Sequence, residues 1–250
     1  MRSSIATVDR ACHLSQEVHD TGWDTVDGAG AVRTATYRFP GGVSRTVLLR
    51  LDERRFVAFS PGAPLARNAR EMLGDDIEMF LVAPSAGHTM GVDPWREAFP
   101  GARVFAADAA VKRLARVTSA PNVELPSALA ALLPEHVEVH TPPGSRTGEL
   151  WLSIDVDDRV LWAVCDSFMN IAALADGFWL RLAQRLYGLR VGLSVGRVFR
   201  LGLRERATFR DWAIARFSND RRNALIPCHG ELDEGPDLTE RIIALTRSRF

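Results

Sequence analysis

The sequence predicts an α/β fold built in layers, and three observations predict it. Short β-prone runs follow a polar opening stretch, apolar strands then alternate with segments of helical spacing, and two late apolar runs each stop at a polar group. Those two runs are "RVLWAVC" (159–165), which meets Asp166, and "NALIPC" (223–228), which meets His229. At 250 residues and 46% hydrophobic content the chain can bury one substantial core, so a single domain over 1–250 is expected.

Residues 1–30 are polar and rich in Gly, Asp and Thr, and read as an N-terminal extension on the surface. "ATYRF" (35–39), "SRTVLLRLD" (44–52) and "RRFVAFSPG" (54–62) then form a meander, with a tight charged turn around Asp52 and Glu53. "LARNAREML" (65–73) has helical spacing and "IEMFLVAPS" (77–85) is a buried strand ending at Pro84. In "GVDPWREAFPG" (91–101), Asp93 occupies an expected N-cap and Pro94 the first helical turn, where its missing N–H costs nothing. "SAGHTMG" (85–91) is therefore a strand-to-helix loop. "ARVFAAD" (102–108) reads as the next strand, and "SALAALLP" (127–134) as a short helix before "HVEVHTPPG" (136–144). "GELWLSIDVDDRVLWAVCD" (148–166) is a hairpin turning at Asp157 and Asp158. Residues 171–217 read as a helical insert of two helices broken near Gly188 to Gly196. The chain closes with the strand before His229 and a helix from Asp237, with Glu240 in the capping-box position.

Acidic and basic residues balance at 31 each, so no global field favours nucleic acid. The three cysteines, Cys12, Cys165 and Cys228, are odd in number and far apart, which fits a reducing, cytoplasmic compartment better than a disulfide framework. No signal-peptide-like stretch opens the sequence, and no run of about 18 uncharged apolar residues occurs. The expected partner is a small-molecule substrate.

Strand alternation separates Cys165 from Asp166 and Cys228 from His229, so the cysteines read as core and the polar pair as rim. Singly, a strand-end His or Asp is an ordinary structural group; their order along the chain says more. A loop holding His88, then "PPGSRTGELWLS" (142–153), then "VCDS" (164–167), then "IPCHGE" (226–231) resembles the metallo-β-lactamase superfamily over roughly residues 43–235. The resemblance is to a divergent branch, and it implies a four-layer αββα sandwich with a metal site where the strand-end loops meet.

The superfamily's first loop reads His-x-His-x-Asp-His, whereas "PSAGHTMGV" (84–92) keeps only His88. Counted from the strand end, Ser85 takes the first histidine's place and His88 falls between ligands; counted back from Gly91, His88 matches the last histidine. The Pro-Gly-His-Thr-Pro-Gly element is "PGSRTG" (143–148), which puts Ser145, a poor zinc ligand, where a histidine is expected. Asp166 matches the carboxylate that bridges two metals and His229 the final histidine. The resemblance thus implies an incomplete site: His88, Asp166 and His229 hold one zinc, iron or manganese ion, or no metal binds at all. With a metal, hydrolysis of an ester, thioester, lactone or phosphodiester is expected, with Asp166 in the catalytic centre and Ser145 and Arg146 offering electrophilic help from position alone. Without one, the chain is a non-catalytic scaffold that binds a small anion or a partner. His13, His19, His136 and His140 show no ligand spacing.

From Gly177 to Arg210 there are eight arginines (181, 185, 190, 197, 200, 204, 206 and 210) against Glu205, a local balance of +7. Apolar residues between them recur at helical spacing. A lid that attracts an anionic substrate, a surface for acidic membranes or a partner, and a solvated helical face all fit; inserts after the aspartate in the superfamily favour the lid.

Overall fold

In the computed structural model, which describes residues 22–39, 42–174, 177–186 and 188–250, the first half of the chain builds a seven-stranded sheet. Its strands are β1 (Asp24–Thr25), β2 (Val32–Phe39), β3 (Gly42–Arg50), β4 (Arg55–Phe59), β5 (Glu78–Val82), β6 (Arg103–Phe105) and β7 (Val123–Glu124), in chain order across the sheet. β1 to β4 pair antiparallel, as the meander requires. β4 to β7 are parallel, so each connection crosses the sheet by a helix: α1 (Ala66–Leu73), α2 (Val92–Ala98) and α3 (Asp108–Val117).

The second half builds a four-stranded sheet. After the short α4 (Pro126–Ala130) come β8 (Val137–His140), β9 (Trp151–Val156) and β10 (Arg159–Val164), then a small pair, β11 (Met169–Ile171) with β12 (Gly192–Ser194), and finally β13 (Arg222–Pro227). The sheet order is β13, β10, β9, β8. Between β11 and β12 lies α5 (Phe178–Leu186); α6 (Arg197–Gly202) and α7 (Arg206–Phe217) lead into β13, and α8 (Leu238–Arg249) ends the chain.

Three apolar layers glue four structural ones. Val47, Leu49, Val57 and Phe80 from the first sheet meet Leu152, Ile154, Leu161 and Ala163 from the second. The alternate residues of the first sheet, such as Leu48 and Leu81, face Trp95, Ala110 and Leu114 of α2 and α3. Those of the second, Val160, Trp162 and Val164, face Phe209, Phe217 and Ile242 of α7 and α8. This period-two division between two faces is why both sheets read as near-continuous apolar runs, and the result is an αββα sandwich.

Three details differ from the sequence reading, in the insert, at Asp93 and at Asp237. Residues 23–30 run along the surface and are held there: β1 extends the sheet, Trp23 donates to Asn68 Oδ1 (2.6 Å), and the Asp27 carboxylate accepts the Ala31 and Val32 N–H groups (3.0 and 2.7 Å). Residues 1–21 lie outside the described residues. Among the described residues the insert holds three helices and a strand rather than two helices, because β12 returns to pair with β11. Asp93 does not cap α2, whose N-cap is Gly91; it accepts instead from Ser119 N–H (2.9 Å) and Ser119 Oγ (2.9 Å), tying α2 to the end of α3. Asp237 does stand at the N-cap of α8, but makes no side-chain cap and pairs with Arg241.

Candidate metal centre

β10 and β13 run parallel with Val164 opposite Pro227, and Cys228 N–H donates to Val164 O (2.9 Å). The residues that follow therefore leave the sheet at one level. Cys165 and Cys228 continue the inward face and are fully buried, while Asp166 and His229 emerge beside each other at the rim. His88 reaches the same point from the loop after β5.

The three side chains converge. His88 Nε2 and His229 Nε2 lie 3.2 Å apart, and Asp166 Oδ1 stands 3.7 Å from the first and 3.6 Å from the second. Each of the three side chains is held from behind. His229 Nδ1 lies 3.0 Å from the Val43 carbonyl, which can only accept, so Nδ1 carries the proton and Nε2 of the neutral ring presents a lone pair. His88 Nδ1 bonds Ser60 Oγ (2.9 Å), and Ser85 Oγ donates to Asp166 Oδ2 (3.2 Å). Ser60 has φ 55°, a left-handed conformation uncommon for serine, so local strain accompanies the aim of its hydroxyl at His88.

The loop beyond His229 is anchored too. Gly230 has φ 101°, and a Cβ there would stand 1.9 Å from Asn170 O; only glycine lets the loop lie against β11. The buried Arg45 guanidinium donates to Gly230 O (2.9 Å). Walls of Tyr37, Phe39, Pro61 and Met90 complete a cavity of about 140 Å³ that opens onto His88, Asp166 and His229.

The electrostatics centre on Asp166. Burial would raise its pKa, but the imidazoles of His229 and His88 hold it well below the usual carboxylate range. Burial disfavours charge on His229 as well, and the Asp166 carboxylate more than offsets this, lifting it to about 9. His88 is raised by the same opposition of burial and Asp166. Beneath them, the Sγ atoms of Cys165 and Cys228 and a nitrogen of His88 lie within 4.8 Å of one another.

Behind the site sits Glu149, which the sequence reading did not single out. It is fully buried; Oε1 accepts from Trp151 Nε1 (2.8 Å) and Ser167 N–H (3.1 Å), and Oε2 has no partner among the described residues. Burial, then the Asp166 charge, push its pKa up to about 8, so it is protonated at neutral pH. A single acid inside the apolar run "GELWLS" was the available signal.

No protein-family model and no curated protein matches the sequence. Solved structures do. The metallo-β-lactamase DIM-1, from a crystal exposed to ceftazidime, superposes with a TM-score of 0.58 at 13% identity, over 93% of this chain and 99% of that one. The chain has the metallo-β-lactamase fold. A putative diflavin flavoprotein A 5 from Nostoc sp. PCC 7120 gives 0.58 at 13% identity, covering 92% and 98%. The metal-soaked Flv1 flavodiiron core from Synechocystis sp. PCC6803 gives 0.58 at 12%, covering 92% of this chain, which spans 61% of that core.

Within this metallo-β-lactamase fold the sequence-predicted residues divide. His88, Asp166 and His229 meet, which resolves the position of His88: its imidazole points into the site. Ser145 and Arg146 do not line the cavity. Ser145 Oγ bonds Thr147 Oγ1 (3.1 Å) and accepts Glu149 N–H (3.3 Å), and the Arg146 side chain is exposed. His136 is exposed, and His140 is buried against Trp162 with Ser153 as partner (2.7 Å), neither among the ligands.

Proposed function

We propose that this chain is a one-metal hydrolase, with His88 Nε2, His229 Nε2 and Asp166 Oδ1 holding a zinc, iron or manganese ion. The observation that carries this reading is the triangle of ligand atoms. Ligands about 2.1 Å from a shared tetrahedral ion stand about 3.4 Å apart, and the three separations here are 3.2, 3.6 and 3.7 Å. A bound divalent ion supplies Lewis acidity and lowers the pKa of water to about 7.

The chain's own residues do the rest. Val43 O keeps His229 Nε2 free of a proton in the neutral ring, Ser60 fixes the ring of His88, and Ser85 turns Oδ1 of Asp166 inward. The apolar rim of Phe39, Pro61 and Met90 excludes water around a small reacting group and suits an ester, thioester, lactone or phosphodiester with an apolar flank. The reading assigns Ser145 and Arg146 no contact with the substrate.

The test is elemental analysis of protein purified without chelators or a histidine tag, beside a His229→Ala variant. Near one equivalent of metal, lost in the variant, supports the hydrolase and justifies an ester and phosphodiester screen. No metal in either after incubation with excess ions overturns it and leaves the fold as a scaffold.

A further inference from the structure

The segment between β11 and β12 carries an apolar surface that the rest of the described chain leaves uncovered. On α5, Phe178, Trp179, Leu182 and Leu186 follow an i, i+1, i+4, i+8 stripe. They are between 38% and 78% exposed, as are Val191, Val198 and Leu201 just beyond. α5 has nine residues, and isolated helices shorter than about 12–15 residues are marginal in water. A short helix that shows four large apolar side chains to solvent gains its stability from something that covers them.

The charge around this surface identifies what covers it. Arg185, Arg190, Arg197, Arg200, Arg204 and Arg206 make no ion pair among the described residues. They flank and follow the apolar stripe along the chain, and Arg197 donates to Leu186 O at the end of α5, in a protein that is neutral as a whole. A second copy of the chain offers the wrong complement, because an isologous contact would set one arginine cluster against its twin. Exposed aromatic and aliphatic side chains interspersed with exposed arginines match a bilayer that presents anionic headgroups outside and acyl chains beneath.

We propose that residues 178–201 dock this protein onto an anionic lipid surface, with Phe178, Trp179, Leu182 and Leu186 entering the interface and the arginines meeting phosphate groups. The helix lies on the membrane: at nine residues it spans about 14 Å, against a hydrocarbon core of about 30 Å, and no described helix is long and apolar enough to cross. A backbone hydrogen bond joins the docked segment to the candidate metal centre: Gly196 N–H donates to Asp166 O (3.1 Å), next to β11, whose Asn170 N–H donates to His229 O (3.1 Å). Docking therefore brings the bilayer beside the cavity, whichever ligand the cavity takes.

Vesicle co-sedimentation of the full chain tests this, using phosphatidylcholine vesicles with and without phosphatidylglycerol. The expected result is binding to the anionic vesicles at least about tenfold tighter than to the neutral ones, weakened by salt, with a blue shift in fluorescence that Trp179→Phe abolishes. Phe178→Ser with Trp179→Ser, and separately Arg185→Gln with Arg190→Gln, lower the affinity about tenfold while leaving thermal stability unchanged, since all four side chains are exposed. Equal binding to both vesicles, no binding to either, or concentration-dependent self-association that shifts Trp179 emission without vesicles each overturns the proposal.

Discussion

His88 and His229 bring their Nε2 atoms to 3.2 Å from each other across the face of one Asp166 oxygen. Two imidazoles and a carboxylate at this spacing are satisfied by a shared proton or by a metal ion, so the two compete. His229, lifted to about 9 by Asp166, keeps its proton well above neutrality. Metal affinity therefore rises with pH until about 9, because binding must release that proton. The same raised pKa stabilises the metal-free fold fully below about 6.5, the unfolded value, and is lost as pH climbs through about 9. Zinc titrations by calorimetry and metal-free melting curves at pH 6 to 9.5 should slope in opposite directions; parallel slopes would refute the competition.

Ser60 pairs a left-handed backbone with a hydrogen bond to His88 Nδ1. Ser60→Gly removes the hydroxyl and relaxes the backbone together. Losing a partner behind a metal-bound histidine costs about 10- to 100-fold in affinity, while relief of the strained conformation offsets the lost hydrogen bond in the fold. The variant should melt within a few degrees of the parent yet bind zinc at least about tenfold more weakly. Unchanged zinc affinity would make Ser60 a local structural feature only.

The layered α/β order was legible in the residues, and the four-layer sandwich came from the likeness to a family order; "RVLWAVC" and "NALIPC" themselves showed only two buried apolar runs whose inward residues end in Cys165 and Cys228. Asp166 and His229 were legible as the polar residues that follow, through their likeness to a family order. The parallel register of β10 and β13 sets Asp166 beside His229, and the packing of the two sheets brings in His88 from the loop after β5, long-range relations that spacing does not encode. α3 escaped notice because "DAAVKRLARV" commits only Ala110 and Leu114 to the core, a thin stripe on a largely exposed helix. Asp93 looked like a cap because local chemistry favoured one, and tertiary contact with Ser119 took it elsewhere. Ser60 and Glu149 matter through what they touch, and neither belongs to a motif.

Glu149 is a buried acid whose Oε2 has no partner among the described residues, within electrostatic reach of Asp166. Its folded pKa of about 8 exceeds the ordinary 4.5, so its neutral form is favoured by folding below 4.5 and stability is lost as pH rises from there to about 8. Glu149→Gln keeps an acceptor for Trp151 and Ser167 but cannot ionise. The variant should match the parent near pH 5 and melt progressively higher than it toward pH 8. A melting difference that does not change with pH would show that Glu149 does not titrate in the fold.

Gly196 stands where the segment after α5 returns to the candidate metal centre, with its N–H on Asp166 O. A Cβ at this position would sit 2.1 Å from that same oxygen and 3.2 Å from Met169 Cε. The sulfur end of Met169 can swing away, but the Asp166 carbonyl is backbone and can move only by carrying its carboxylate with it. Gly196→Ala should cost about 1–3 kcal/mol by overpacking and weaken zinc binding together with stability. Gly202→Ala is the control, since its Cβ would meet only ordinary contacts at 3.9 Å from Arg146 and Thr147 side chains. If Gly196→Ala binds zinc as the parent does while melting lower, the backbone of Asp166 is not what aims its carboxylate, and Ser85 alone holds Oδ1 toward the two histidines.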